Sequence, residues 1–158
     1  MGRIPSEQLD YDGESGLWLY SGHPFTGVSF VLGSPGGYVE SEKGYLDGAL
    51  HGRCREWWRP EVLQMDAIFE YGMPNGESRS WREDGTLASV DVYEFGIRLW
   101  GVGFDANDTV NSTFRLGPAD ENFSLLEAFR DSHGRSGHPH VRPAIPTNVP
   151  RPEPERTP

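Results

Sequence analysis

A pattern of glycines and bulky apolar residues returns every 24 residues through the middle of the chain, and it limits the possible folds more than any other feature. Gly48, Gly72 and Gly96 fall in step, as do Tyr45, Phe69 and Tyr93. Between them Gly52 returns as Gly76, Trp57 as Trp81 and Leu63 as Leu87. Self-similarity at a fixed period of about 20 to 50 residues marks arrays in which each unit stacks on its neighbours and cannot bury its apolar surface alone. A degenerate earlier copy sets Gly27 against Gly52 and Tyr38 against Leu63 at 25 residues, a slip explained by one residue inserted in a loop.

Each copy reads as a β-hairpin. Residues 52–59 run out, Pro60-Glu61-Val62 turns, and residues 63–71 return. After the bracketing glycines Gly72 and Gly76, residues 77–83 run out, Asp84-Gly85 turns, and residues 86–95 return. Aspartate-glycine is a strong short hairpin signal because glycine accepts the positive φ of a tight reversal. Side chains alternate across a strand. Arg53, Arg55, Trp57 and Arg59 therefore share one face and Cys54, Glu56 and Trp58 the other, while Leu63, Met65, Ala67, Phe69 and Tyr71 are expected on one face together. Alternation does not assign a core side to residues 86–95. Twenty glycines and a 12% share of aromatic residues agree with a turn-rich β protein whose apolar surface comes mostly from rings.

The flanks differ from the repeats. Residues 1–16 are polar and acidic and read as a loose lead-in to a β domain over residues 17–116. Residues 99–104 and 109–116 read as a last, altered hairpin that closes the array. Pro118-Ala119-Asp120 resembles a helix start, and Phe123, Leu126, Glu127 and Arg130 follow at helical spacing, so a capping helix is expected within residues 117–132. Residues 133–158 hold many prolines and no aromatic residue, the composition of a disordered tail. The expected architecture is thus all-β, a row of antiparallel hairpins with a short C-terminal helix and a tail.

The net charge of −10 should repel nucleic acid and anionic membranes and attract basic partners. The four arginines after Asp131 outnumber the two glutamates there, so the tail carries +2 and the rest −12. The single cysteine, Cys54, has no partner for an internal disulfide, which fits a reducing compartment. The first residues lack a signal-peptide core and no run reaches membrane-spanning length. A cytoplasmic location is expected.

Tyr45, Gly48, Gly52, Trp57 and Leu63 in one copy, and Phe69, Gly72, Gly76, Trp81, Gly85, Leu87 and Tyr93 in the next, resemble the MORN repeat. The likeness is greatest to its bacterial variant, which occurs in many proteins described as antitoxins or immunity proteins of toxin systems. Phe25-Thr26-Gly27 is similar to the usual opening of such arrays. Pro60-Glu61-Val62 departs from the usual asparagine-glycine turn, and little after Gly96 matches. The resemblance implies hairpins in one twisted sheet with an aromatic-lined groove, and a protein-binding role.

Among candidate sites, the repeat-equivalent rings Trp57, Trp81, Phe69 and Tyr93 read first as core. Trp58 has no aromatic counterpart, since Arg82 takes its place in the next copy, and is the stronger candidate for an exposed anchor, followed by Trp100. Glu56, Asp66, Glu70, Glu83 and Asp84 are candidate contacts for a basic partner. Catalytic readings are weaker. His23 and His51 lack an evident nucleophile, Cys54 has arginine neighbours that could lower its pKa but reads first as an inert buried thiol, and His133, His138 and His140 suggest adventitious metal capture at most. No cofactor or metal is expected. The leading expectation is a non-catalytic antitoxin or immunity-like protein masking a basic partner. A lipid-associated or structural scaffold and a small hydrolase are the alternatives, and open sheet edges suggest homodimerisation.

Overall fold

The computed structural model describes residues 2–136 and 142–145. The described residues form twelve strands, a single 3-10 turn at Ser6–Gln8 and one α-helix, and nine of the strands form one sheet. The meander β5 (Gly27–Leu32), β6 (Val39–Leu46), β7 (Ala49–Arg59), β8 (Val62–Glu70), β9 (Met73–Trp81), β10 (Leu87–Glu94), β11 (Ile97–Phe104) and β12 (Val110–Arg115) pairs antiparallel in chain order. A strand that returns through a short turn meets its sequence neighbour, so a chain of hairpins writes its own strand order.

The repeat is a turn. Asp47-Gly48, Tyr71-Gly72 and Phe95-Gly96 are two-residue reversals in which both residues have positive φ, near 50° and then near 80°. This is the turn whose twist matches that of the flanking strands. Each turn is tied to the preceding copy. The amide of Gly48 donates to the carbonyl of Phe25 at 2.8 Å, Gly72 to Leu50 at 2.7 Å and Gly96 to Pro74 at 2.8 Å. Beside each bond a side chain accepts the neighbouring amide: Thr26 Oγ1 from Asp47 (2.9 Å), His51 Nδ1 from Tyr71 (3.5 Å) and Asn75 Oδ1 from Phe95 (3.1 Å). Across the strands Gly27 faces Tyr45, Gly52 faces Phe69 and Gly76 faces Tyr93, so each ring lies beside a residue without a side chain.

The core is split between the two ends of the sheet. At one end Leu9, Phe25 and Tyr45 are buried with Ile4, Trp18 and Leu50 packed around them. Residues 2–16, expected to be loose, build this end. β1 (Gly2–Pro5) pairs parallel with β5, and β2 (Asp10–Asp12) joins β3 (Leu17–Tyr20) and β4 (His23–Pro24) in a small second sheet. Only Ile4 and Leu9 supply apolar burial there, which is why composition did not reveal it.

At the other end α1 (Glu121–Ser136) lies over β10 and β11. It extends beyond the expected residue 132. Leu126, 2% exposed, enters a cluster of Val92, Phe95, Ile97 and Leu99, with Phe129, Leu116 and Trp100 at its margin. This settles the core side of β10: Val90, Val92 and Glu94 are buried while Leu87, Ser89, Asp91 and Tyr93 are half-buried. Arg130 reaches back to the fully buried Glu94, donating from Nε to Oε1 at 3.1 Å and from Nη2 to Oε2 at 2.6 Å. These charge-assisted bonds hold the Arg130 guanidinium pKa above its ordinary value. Residues 137–141 and 146–158, most of the expected tail, lie outside the described residues.

Candidate functional site

Between the two ends, strands β7 to β9 touch the buried clusters only through Leu50, and one face of them holds varied chemistry. Directly opposed residues in an antiparallel pair point to the same side. Arg55 opposes both Glu42 and Asp66, Asp66 opposes Arg79, and Arg53 opposes Ile68, which puts all six on one face. Leu63 joins them. A register shift between Glu56 and Trp57 sets Leu63 opposite Trp57, away from the face of Met65 and Ala67 where simple alternation places it.

Charges on this face are paired. Arg55 Nη2 binds Glu42 Oε2 at 2.6 Å, Arg3 binds Glu42 Oε1 at 3.2 Å, Arg53 grips Asp66, and Arg79 meets Glu77. The Asp66 carboxylate holds the Arg53 guanidinium pKa above its ordinary value, through their hydrogen bond and then their charge attraction. Arg3 lies over the Phe30 ring at 4.7 Å and Arg55 over Trp57 at 5.2 Å. Arginine is suited to this dual use, since its planar fork pairs with a carboxylate edge-on and stacks on rings. Leu63, Ile68 and Trp81, with the pairs Arg53–Asp66 and Glu77–Arg79, line an open groove of about 360 Å³. Ile68 is 38% exposed.

The opposite face of the same strands carries Met65, Ala67 and Phe69 opposite Glu56, Cys54 and Gly52. Cys54, 1% exposed, and Ala67 are buried there, flanked by an ion pair of Lys43 and Glu56 at 3.1 Å. Burial raises the Cys54 thiol above its ordinary pKa and outweighs the lowering by the Gly44 backbone and Lys43. The arginines beside it in sequence point to the other face, so they do not activate it.

The candidate contact residues are not gathered into one patch. Trp58 sits in an irregular stretch between β7 and β8, 38% exposed, with its indole nitrogen donating to the Trp81 carbonyl at 2.9 Å. Trp100 is packed against the helix-covered core. Asp66 lies on the arginine-bearing face and Glu56 on the other. Glu70 ends β8 beside the Tyr71-Gly72 turn. Glu83 and Asp84 stand at the opposite rim, where Asp84 accepts from the amide and hydroxyl of Thr86 at 2.9 and 2.6 Å, which lowers its carboxyl pKa. Trp57 and Trp81, read first as core, are half-buried on the open face. Glu70, Glu83 and Asp84 thus lie at the turn rims and Glu56 and Asp66 on the strands, where an ion-paired aromatic and aliphatic strip occupies the middle of the open face.

Sequence reasoning missed Thr26, His51 and Asn75, because three residue types fill one structural position. A shared acceptor one residue before Gly27, Gly52 and Gly76 was the available signal. His23 is exposed, with a ring nitrogen 3.0 Å from the Ser21 carbonyl. His133 stacks on Phe95 at 4.5 Å, while His138 and His140 lie outside the described residues. Among the described residues no group of three or more histidine, cysteine or acidic side chains is placed to hold a metal ion, and no helix is long and apolar enough to cross a membrane. Comparison with protein families, curated proteins and solved structures finds no match to this chain.

Proposed function

We propose that this protein is a non-catalytic binding module that masks a basic protein partner with the open face of β7 to β9, in the manner of an antitoxin or immunity protein. The observation that carries the reading is that this face is covered by neither terminal core, yet holds Trp57, Leu63, Ile68 and Trp81 within reach of solvent. Ile68 is exposed and Trp57, Leu63 and Trp81 are half-buried, and partly exposed apolar strips with polar margins are what partners cover. Because the arginines of the face are already paired, the −12 of residues 1–134 comes from carboxylates of the N-terminal segment, the turns and α1 as much as from the strands. Rim charges govern the rate of encounter and its salt dependence more than the final affinity. The comparison with antitoxins rests on the repeat resemblance, and the acidity supports it separately.

The test is affinity capture of the tagged chain from lysate of its source cells, washed at low and then high salt. One stoichiometric basic protein, released by salt and weakened by Ile68→Asp and Leu63→Asp, is the expected result. Recovery of only further copies of the chain, or equal capture by both variants, overturns the reading and favours a self-assembling scaffold.

A further inference from the structure

Where the open face reaches the Gly72 turn, His51, Gly52, Ile68, Asn75 and Gly76 form a seat, and the residue that lines it from outside the sheet is Pro143. A Cβ added at Gly52 would meet nothing within 4 Å, so the space above it is open to an incoming group. Residues 142–145 alternate: Arg142 and Ala144 are exposed, Pro143 and Ile145 half-buried. From this shared lining we propose that the seat is a recognition site for a short proline-bearing apolar segment, and that residues 142–145 of the chain are its resident occupant.

Three observations converge. The first is reach. His133 packs its ring against Phe95 at 4.5 Å, and the Phe95 amide donates to Asn75 in the wall of the seat, so the last turns of α1 lie close to the seat. The second is charge: the region after Asp131 is net +2 and the remainder −12, so attraction favours the segment lying on the sheet. The third is chemistry. Proline has little conformational entropy to lose and presents a rigid apolar ring, which suits a shallow seat walled by Ile68 and an imidazole. A consequence rests on the binding reading above: a partner that enters the seat beside Ile68 must displace Pro143, so the segment would lower that partner's apparent affinity by the fraction of time it holds the seat.

The test needs no partner, so its outcome is separate from that of the capture experiment. The chain has four isoleucines, Ile4, Ile68, Ile97 and Ile145, which makes methyl-labelled full-length protein simple to read by NMR. The expected result is a nuclear Overhauser contact between the Ile68 methyl groups and the Pro143 ring, lost in the variant Pro143→Asp/Ile145→Asp together with a shift of the Ile68 resonance. Adding a synthetic peptide of residues 140–148 in excess to that variant should return the Ile68 resonance toward its wild-type position. Absence of the contact in the wild-type chain overturns the proposal. A peptide that leaves the Ile68 resonance unmoved overturns the claim that the seat recognises the segment itself.

Discussion

Replacing Arg130 by alanine should loosen the C-terminal end of the sheet more than any other single change on the helix surface. Glu94 is fully buried, and Arg130 gives it two charge-assisted hydrogen bonds. Removing one partner of a buried pair costs about 3 to 5 kcal/mol, because a charge stays behind in a poorly solvated site. The Arg130 side chain is 23% exposed, so water can partly replace it, which places the expected loss near the lower bound. For a chain of this size about 3 kcal/mol corresponds to roughly 6 to 12 °C in Tm. Equilibrium denaturation followed by tryptophan fluorescence reads it directly, since Trp100 borders the affected core. The double variant Arg130→Leu/Glu94→Leu should recover much of the loss, because two apolar groups need no compensation. A loss below about 1 kcal/mol for Arg130→Ala, with no recovery in the double variant, would refute the claim that this pair fastens the helix.

Other consequences follow from local geometry. Gly72→Ala should cost about 1 to 2 kcal/mol through its left-handed backbone alone, because an added Cβ there meets nothing. Gly48→Ala, at the equivalent turn, should cost more, since its Cβ would press on the Leu17 side chain; equal losses in urea melts would contradict this. Asn75→Ala should cost about 1 kcal/mol by leaving the Phe95 amide without its acceptor, measured the same way. Cys54 should resist a thiol reagent at neutral pH in the native chain and react readily once unfolded. Both Cys54 and Tyr93 have pKa values raised chiefly by burial. The unfolded chain therefore loses these protons first, and stability should fall as pH rises above the ordinary thiol and phenol values toward the raised ones, visible as a declining alkaline Tm.

The sheet was legible in the sequence because its register is set by turns, and turns are written in glycine. Gly48, Gly72 and Gly96 recur at three reversals, although the loop expected over residues 72–76 closes already at Tyr71-Gly72 and residues 73–76 belong to β9. The N-terminal end was not legible: residues 2–16 contribute Ile4 and Leu9 to a core otherwise built from Phe25 and Tyr45, and two apolar residues among acidic ones carry no periodic signal. The Glu94–Arg130 pair escaped because its members are 36 residues apart and each looks like an ordinary surface charge. The open face was half legible. Alternation put Arg53, Arg55 and Trp57 together, but the bulge that brings Leu63 to them and the pairing of every arginine on that face are properties of register, which no single strand reveals. The acidic candidates were scattered for the same reason, since net charge says how many carboxylates exist and not which of them are already paired.

The claim that the open face of β7 to β9 receives the partner is tested most directly by hydrogen exchange of the chain alone and with the basic protein it captures. Slowed exchange concentrated between Arg53 and Trp81, with the N-terminal strands and α1 unchanged, is the predicted result. Slowing confined to α1, to the N-terminal sheet or to the edge strand β12 would contradict it and place the interaction on a different surface.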